Sequence, residues 1–384
     1  MKKLLAYRRE NGLVGIRNHA VVISTVACAN TVVNHICRCI RAIPITHSWG
    51  CSEFEENSTL TKKTLIGIAL NPNVGCVLFV GLGCEQIHSK DMAQQIKDKP
   101  VDYIDIQACG GTNKAIQVGL SKLSRILSKA SSITRQEINS KDLLIGVKCG
   151  GSDWTNGVVA NPVLGKVSDS IVAHGGTVVM TETMGFLGSE HLLVKQASSP
   201  EIASAIINLV KNCRKDFQQR FGQDIYEINP TPGNKDGGIT TLAEKSIGNI
   251  RKGGTTSIQG VLDFGEQVPV HGNGLWISKS QGTGPDTLCI SGLNTAGCQL
   301  ILFTTGRGTP LGSPITPVIK VTGNPTTFSL MKDNFDINAG SIVYGKASIE
   351  DIAEKVKELL YSVINGKLTK SEILGHIEFS IPRW

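Results

Sequence analysis

The stretch LLIGVKCGGSD at residues 143–153 decides how the rest of the chain is interpreted. Residues 143–147 carry no charge and are rich in branched side chains, which is typical of a buried strand. Tight turns explain the two glycines that follow, but they do not explain Lys148, Cys149 and Asp153 together. In an open α/β sheet, ligands bind beyond the carboxyl ends of the strands. The stretch therefore predicts a functional site at the end of this strand.

Short apolar runs followed by polar, glycine-rich turns recur along the chain and alternate with amphipathic segments. This alternation predicts an α/β fold of two lobes, Rossmann-like in style, each with a mostly parallel sheet flanked by helices. A polar interval at residues 131–141 separates a predicted N-terminal lobe, residues 1–138, from a C-terminal lobe, residues 139–384. The predicted strands are residues 20–26, 43–46, 75–80, 101–106, 143–147, 176–180, 299–303 and 317–321. The predicted helices are residues 31–41, 59–69, 113–127, 199–221, 241–250 and a segment that begins after Ser348.

Composition excludes several classes of protein. The net charge of +7 is spread over 384 residues without a dense basic block beside aromatics, so a nucleic-acid partner is not predicted, whereas small anionic substrates fit. There is no signal-peptide pattern and no apolar run of membrane-spanning length, and we expect a cytoplasmic protein without a membrane partner. The 11 cysteines are an odd number, which favours thiols or metal ligands over a disulfide framework.

Glycine-rich turns suggest an anion site without suggesting a nucleotide site. The run TTGRGTP at residues 304–310 offers backbone N–H groups, the Thr305 hydroxyl and the Arg307 guanidinium, which together suit a carboxylate or phosphate. It does not follow the Walker A pattern. The turns at residues 81–83 and 109–111 do not complete a dinucleotide fingerprint either.

Cysteine and histidine side chains at several predicted strand ends suggest a metal site. His47 and Cys51 have a spacing that can ligate one metal ion, and Cys84 and Cys149 follow neighbouring strands. Mixed nitrogen and sulfur ligands suit zinc or iron. Glu182 and His191 either add harder ligands or act as acid and base.

Ordered motifs over residues 8–345 resemble those of the altronate/galactarate dehydratase family, to which sulfolactate sulfo-lyase large subunits also belong. The motifs include Gly12-x-x-Gly15-x-Arg17-Asn18, His47-x-x-Gly50-Cys51, Gly81-Leu82-Gly83-Cys84-Glu85, Lys148-Cys149-Gly150-Gly151-Ser152-Asp153, Asn161-Pro162, Gly188-x-Glu190-His191, Asn229-Pro230-x-Pro232-Gly233-Asn234-Lys235 and Thr305-Gly306-Arg307-Gly308-Thr309-Pro310.

The resemblance implies a metal-dependent lyase that acts on a sugar acid or a small hydroxy acid. The implied cofactor is Fe²⁺, with Mn²⁺, Zn²⁺ or an iron–sulfur cluster on Cys51, Cys84 and Cys149 as alternatives. The expected site comprises catalytic Lys148, Asp153, Glu182 and His191, substrate-binding Arg17, Asn18, Asn161, Asn234, Lys235, Thr305 and Arg307, and metal ligands His47, Cys51, Cys84 and Cys149.

Two departures from the family pattern bear on function. Members often carry a small β-rich domain ahead of the Arg17-Asn18 motif, whereas this sequence begins almost at that motif, so that domain is expected to be a separate subunit or missing. Many members have a second glutamate after the one at Glu182, where this chain has residues 184–186, so the sugar acid is left open. We also expect a homo-oligomer.

The expected reaction is dehydration of a 2,3-dihydroxy acid of the altronate or galactarate type to a 2-keto-3-deoxy acid. A base, namely Lys148, Glu182 or His191, takes the C2 proton, and a metal stabilises the resulting enediolate. The alternatives are a sulfo-lyase large subunit that releases sulfite and pyruvate from sulfolactate, and a non-catalytic subunit that binds sugar acids.

Overall fold

The computed structural model describes residues 3–270, 272–280 and 284–383. The strands are β1 Leu4–Arg8, β2 Val14–Gly15, β3 His19–Ser24, β4 Ile43–Ile45, β5 Val74–Gly81, β6 Val101–Asp105, β7 Gln136–Ile138, β8 Leu144–Cys149, β9 Thr177–Met180, β10 Ile258–Leu262, β11 Gly274–Ser278, β12 Leu300–Thr304, β13 Val318–Thr322 and β14 Ile337–Asn338. The α-helices are α1 Asn30–Ile40, α2 Glu55–Leu70, α3 Ser89–Gln94, α4 Ile106–Cys109, α5 Thr112–Ser131, α6 Asn161–Ala173, α7 Glu190–Lys195, α8 Pro200–Phe221, α9 Ile225–Ile228, α10 Pro232–Asp236, α11 Leu242–Ile250, α12 Asp286–Thr295, α13 Pro325–Leu330, α14 Ile349–Ile364 and α15 Lys370–Leu374.

Two parallel sheets carry the architecture. The first has the order β4-β3-β5-β6 and the second the order β10-β11-β9-β8-β12-β13-β14, with every neighbouring pair parallel. Helices form most of the crossovers between parallel strands, as is usual, whereas a loop without a helix joins β12 to β13. The predicted α/β fold with two mostly parallel sheets is confirmed. β8 lies near the middle of the larger sheet, with Ile145 and Val147 fully buried, which explains the uncharged run that precedes Lys148.

The sequence did not predict a small antiparallel sheet, in which β1 pairs with both β2 and β7. Its strands are only two to five residues long, too short for a clear periodic signal. The glycine-rich stretch 271–286, where a loop is the natural expectation, contains β11 between β9 and β10. His271 and residues 281–283 in that stretch lie outside the described residues.

Two buried asparagines connect the sheets. The Asn71 side chain donates to the carbonyls of Asn294 and Cys298, at 2.8 and 3.0 Å. The Asn73 side chain donates to the carbonyls of Gln299 and Ile315, at 2.8 and 3.1 Å. Both asparagines are fully buried. An amide that satisfies two buried carbonyls explains why this turn is rich in asparagine.

Arg17 forms a second connection, between β3 and the C-terminal helices. Its guanidinium makes a bidentate contact with Glu372, at 2.7 and 2.9 Å, and donates to three backbone carbonyls, among them those of Val363 and Lys367. The arginine is 7% exposed. Planar, multiply bonded arginines of this kind are strong and specific contacts.

The structure also bears on the cysteines and on membrane-spanning segments. All 11 cysteines are free thiols. No helix in the described part of the chain is both long enough and apolar enough to cross a membrane.

Replacing Arg17 by methionine should lower the free energy of unfolding by about 3 to 5 kcal/mol, because it leaves the Glu372 carboxylate without its cation and removes three hydrogen bonds to backbone carbonyls. Urea denaturation followed by circular dichroism measures the loss. The control is Arg8→Met, which removes a more exposed ion pair with Asp142 and should cost less than about 1 kcal/mol. Equal losses in the two variants would contradict the role given to Arg17.

Candidate active site

A cluster of buried charges lies at the carboxyl edge of the larger sheet, where β8, β9 and β12 end. The Lys148 side chain is fully buried, and its Nζ donates to Asp286 Oδ1 at 2.5 Å and to Glu182 Oε1 at 3.3 Å. The same Nζ donates to the Cys149 carbonyl at 2.9 Å and lies 4.8 Å from the centroid of the Phe303 ring. All three protons of the ammonium group therefore have acceptors.

Glu182 joins this lysine to a second one. Glu182 follows β9 and has a φ of +81°, a left-handed conformation that is uncommon for a residue with a side chain. Its Oε2 accepts a hydrogen bond from the Cys149 N–H at 2.9 Å and also pairs with the fully buried Lys252. Such backbone conformations persist where the surroundings fix them, and they are frequent at active sites.

The charges in this cluster stabilise one another. Burial raises the pKa of the Glu182 carboxyl, but the ammonium groups of Lys148 and Lys252 outweigh it and lower that pKa to about 2. Burial lowers the pKa of the Lys148 ammonium, whereas the carboxylates of Asp286 and Glu182 raise it by more, so its pKa lies above the ordinary value. At neutral pH, Glu182 is an anion and Lys148 a cation.

The end of α11 supplies the remaining contacts of Lys252. Its ammonium group pairs with the Asn249 side-chain oxygen and lies 3.7 Å from the Cys149 sulfur. The Cys149 thiol donates to the same Asn249 oxygen at 2.9 Å. Burial, followed by the nearby Glu182 charge, raises the pKa of this thiol. Cys149 therefore lies in the cluster as a neutral thiol.

Close approach of the backbone to Asp286 requires a glycine at position 150. Asp286 is the first residue of α12, and a Cβ atom on Gly150 would lie 2.4 Å from both of its carboxylate oxygens. The Asp286 side chain is 30% exposed, against 15% for Glu182. Asp286 is thus the carboxylate of the cluster that is most accessible to a substrate.

The loop after β12 borders the cluster. The Arg307 N–H donates to the Gly151 carbonyl at 2.7 Å, and the Thr305 hydroxyl accepts from the Gly308 N–H at 3.0 Å. Thr305 is fully buried, whereas Arg307 is exposed. The guanidinium is therefore available to an anion beside the turn that carries Cys149.

Comparison with known proteins identifies the family of this chain. Residues 140–384 match the family model described as D-galactarate/altronate dehydratase, C-terminal. Residues 6–131 match the model described as D-galactarate dehydratase/altronate hydrolase, second domain. The chain belongs to the galactarate/altronate dehydratase family.

Relatives within this family carry different names. The chain is 34% identical to altronate dehydratase of Bacillus subtilis, covering 95% of this chain and 74% of the relative. It is 32% identical to (2R)-sulfolactate sulfo-lyase subunit beta of Chromohalobacter salexigens, covering 100% and 97%. It is 29% identical to galactarate dehydratase (L-threo-forming) of Escherichia coli, covering 94% and 72%.

Three of the predicted site residues make hydrogen bonds beside the charge cluster and do not belong to the cluster itself. Both carboxylate oxygens of Asp153 accept hydrogen bonds within the protein, from Thr155 at 2.6 Å and Asn324 at 2.7 Å. Asn161 bridges Thr304 and the Gly248 carbonyl. Asn234 donates to the Ser152 carbonyl at 2.9 Å. These side chains shape the surroundings of the charge cluster.

Four other predicted site residues are not hydrogen-bonded to the cluster in the described part of the chain. Arg17 makes the contacts with Glu372 described above. Asn18 lies between Arg9 and the Ala130 carbonyl. Lys235 is exposed on α10 and His191 on α7.

The structure does not gather the four predicted metal ligands. The ring nitrogens of His47 are both engaged, one with the Ser24 carbonyl at 2.8 Å and the other with the Trp49 N–H at 3.1 Å. Cys51 and Cys84 are exposed at loops of the smaller sheet, whereas Cys149 is buried in the larger one. Among the described residues, no group of three or more His, Cys, Asp or Glu side chains is arranged to hold a metal ion. These residues do not fit the predicted metal centre.

Sequence reasoning missed Lys252, Asn249 and Asp286. The helix at residues 241–250 was expected, and Asn249 and Lys252 occur at and just after its end. Asp286 begins a helix directly after residues that gave no periodic signal. The sequence held one clue to Lys252. The two glycines that follow it are typical of a backbone that approaches another segment closely.

The Glu182 carboxylate should make the stability of the protein pH-dependent. Its folded-state pKa lies below the ordinary value of 4.5, so its stabilisation is complete above about pH 4.5 and is lost as the pH falls towards 2. We expect the difference in melting temperature between wild type and Glu182→Gln to shrink between pH 7 and pH 3. Glu354→Gln, which removes one partner of an exposed pair, is the control and should change the melting temperature little. A constant difference for Glu182→Gln would contradict the assignment.

A double substitution, Cys51→Ser with Cys84→Ser, tests the predicted metal ligands. Both thiols are exposed, and among the described residues neither belongs to a ligand group, so we expect wild type and variant to contain equal amounts of iron, manganese and zinc. Metal analysis of anaerobically purified protein measures this. Selective loss of one metal from the variant would restore the predicted ligand set.

Proposed function

We propose that this chain is a sugar-acid dehydratase, a carbon–oxygen lyase that converts a 2,3-dihydroxy acid into a 2-keto-3-deoxy acid and water. The observation that carries the proposal is the Lys148–Glu182–Lys252–Asp286 cluster at the carboxyl edge of the larger sheet in a chain of this family. The names of the dehydratase relatives support the same reaction class.

The elimination begins at C2 of the substrate. The Asp286 carboxylate takes the C2 proton, because it is the most exposed carboxylate of the cluster. The electrons of the C2–H bond pass to the substrate carboxylate and form an enediolate. The Lys148 ammonium, held 2.5 Å from Asp286, stabilises that charge at little reorganisation cost, because its position is already fixed.

The elimination is completed at C3. The enediolate electrons form the C2–C3 double bond while the C3–O bond breaks. The departing hydroxyl takes a proton from Lys148 and leaves as water, and Asp286 returns the C2 proton to Lys148. The enol product then tautomerises to the keto acid. Glu182 stays ionised and fixes both lysines. The ferrous-iron requirement that the family resemblance implies stays a prediction, and no step here depends on it.

Arg307 is the proposed partner of the reacting carboxylate. It is exposed next to the Gly151 carbonyl, and an arginine fork matches the geometry of a carboxylate. This assignment keeps the role that the sequence predicted for the loop after β12.

A second candidate activity is sulfite release from sulfolactate. What favours it is the nearly complete mutual coverage of this chain and the sulfo-lyase subunit beta, at 100% and 97%. That relative is named as a subunit, so we include a separate small subunit as a proposed partner. Keto-acid and sulfite release over altronate, galactarate and sulfolactate, with and without a co-encoded small protein, separates the two activities from a non-catalytic role.

Asp286→Asn should lower kcat by about 10² to 10⁴, the usual contribution of a positioned general base, while KM changes by less than about tenfold. Steady-state keto-acid release measures both constants. Asp263→Asn is the matched control, since Asp263 is 66% exposed and pairs only loosely with Lys279 at 3.5 Å. Full activity of Asp286→Asn would show that another group removes the proton.

A further inference from the structure

Lys320 is a buried cation that the proposed mechanism does not use. It lies on β13, an interior strand of the larger sheet, and it is fully buried. In the register of that sheet, Lys148, Phe303 and Lys320 form one row across three neighbouring strands. Residues in one row point to the same face of a sheet. Lys320 therefore lies on the face that carries Lys148, with Phe303 between them.

The side chain of Lys320 binds backbone and not a carboxylate. Its Nζ donates to the Pro310 carbonyl at 2.6 Å and to the Leu311 carbonyl at 3.1 Å. In the described part of the chain its ammonium group forms no ion pair, and the Asp336 carboxylate instead accepts from the Lys320 and Lys370 backbone N–H groups. Burial of a charge without a counter-ion is costly, so a gain elsewhere is expected to offset this cost.

The ammonium group of Lys320 keeps its charge at neutral pH. Burial lowers its pKa to about 8, although the nearby charges of Asp336 and Glu378 raise that pKa in part. The hydrogen bonds to the two carbonyls are therefore charge-assisted, and such bonds are roughly twice as strong as neutral ones.

The two carbonyls belong to the loop that joins β12 to β13. No helix forms this crossover, so the loop carbonyls have no helical N–H partners and depend on others. At its beginning the loop is held by the turn after β8, because the Gly306 and Arg307 N–H groups donate to the Gly151 carbonyl at 3.2 and 2.7 Å. Lys320 holds the loop again a few residues later. Arg307 thus lies between two anchors.

We propose that Lys320 is a positioning residue, which fixes this loop so that the Arg307 guanidinium faces the reacting carboxylate of the substrate. The inference rests on the proposed dehydratase function, in which Arg307 binds that carboxylate. Arg307 is exposed, and its guanidinium has no hydrogen-bond partner among the described residues, so the loop backbone decides where this side chain starts. A loop fixed in advance lowers the ordering cost of binding the substrate.

Arg307→Met and Lys320→Met, made singly and together, test this inference with altronate or galactarate, whichever acid the wild type turns over. Arg307→Met should raise KM about tenfold or more, because a charge-assisted hydrogen bond to the substrate is lost. Lys320→Met should raise KM about tenfold in the wild type but less than about twofold in the Arg307→Met background, because both residues act on one contact. In Lys320→Met alone, kcat should change by less than about threefold.

Lys99→Met is the matched control, since Lys99 is also a buried lysine that donates to two carbonyls, those of Ala69 and Asn71. It should leave KM unchanged. Equal rises in KM for Lys320→Met in the two backgrounds, or no rise in a folded variant, would overturn the positioning role while the dehydratase function stands. If Lys320→Met does not fold, Lys320→Gln, which keeps a donor on a shorter side chain, is used in the same cycle with the same outcomes.

Hydrogen exchange separates this inference from the proposed function, because it needs no substrate. The Gly306 and Arg307 amide hydrogens, which are bonded to the Gly151 carbonyl, should exchange at least about tenfold faster in Lys320→Met than in wild type or Lys99→Met, because one anchor of the loop is lost. Mass spectrometry of peptides from residues 305–312 measures the rates. If wild type turns over neither acid, the proposed function fails. Faster exchange then still supports the anchoring of the loop by Lys320, and unchanged exchange overturns it.

Discussion

The ion pairs of Glu182 with Lys148 and Lys252 are the constraint on which the site depends. Two ammonium groups that are fully buried would be very costly without partners, and a single carboxylate between them offsets both costs. To reach that position, Glu182 adopts a left-handed backbone conformation directly after β9. The Cys149 N–H and Asp286 complete the hydrogen bonds. The cluster therefore fixes the relative positions of β8, β9, α11 and α12.

The sequence predicted the part of this cluster that comes from strand ends. Lys148, Cys149 and Glu182 each follow an uncharged run, and parallel strands deliver their carboxyl ends to one edge. Lys252 and Asp286 come from helix ends far along the chain. Only tertiary packing brings those two residues to the edge of the sheet, and no local sequence pattern predicts that packing.

The four metal ligands were predicted on the assumption that the carboxyl ends of all strands meet at one edge. The strands instead form two separate parallel sheets. His47, Cys51 and Cys84 end strands of the smaller sheet, whereas Cys149 ends a strand of the larger one. A periodic pattern identifies strands, but it does not tell which sheet each strand joins. Arg17, Asn71 and Asn73, in contrast, connect parts of the fold through buried hydrogen bonds.

Turnover by Lys148→Met tests the central claim most directly. Keto-acid release should fall by about a hundredfold or more, because the variant lacks the fixed cation that stabilises the enediolate. The matched control is Lys99→Met, which removes another buried lysine, one that donates to the Ala69 and Asn71 carbonyls away from the site. Circular dichroism should confirm that both variants are folded. Loss of turnover in Lys148→Met alone is the predicted result, and wild-type turnover by a folded Lys148→Met protein would contradict the account.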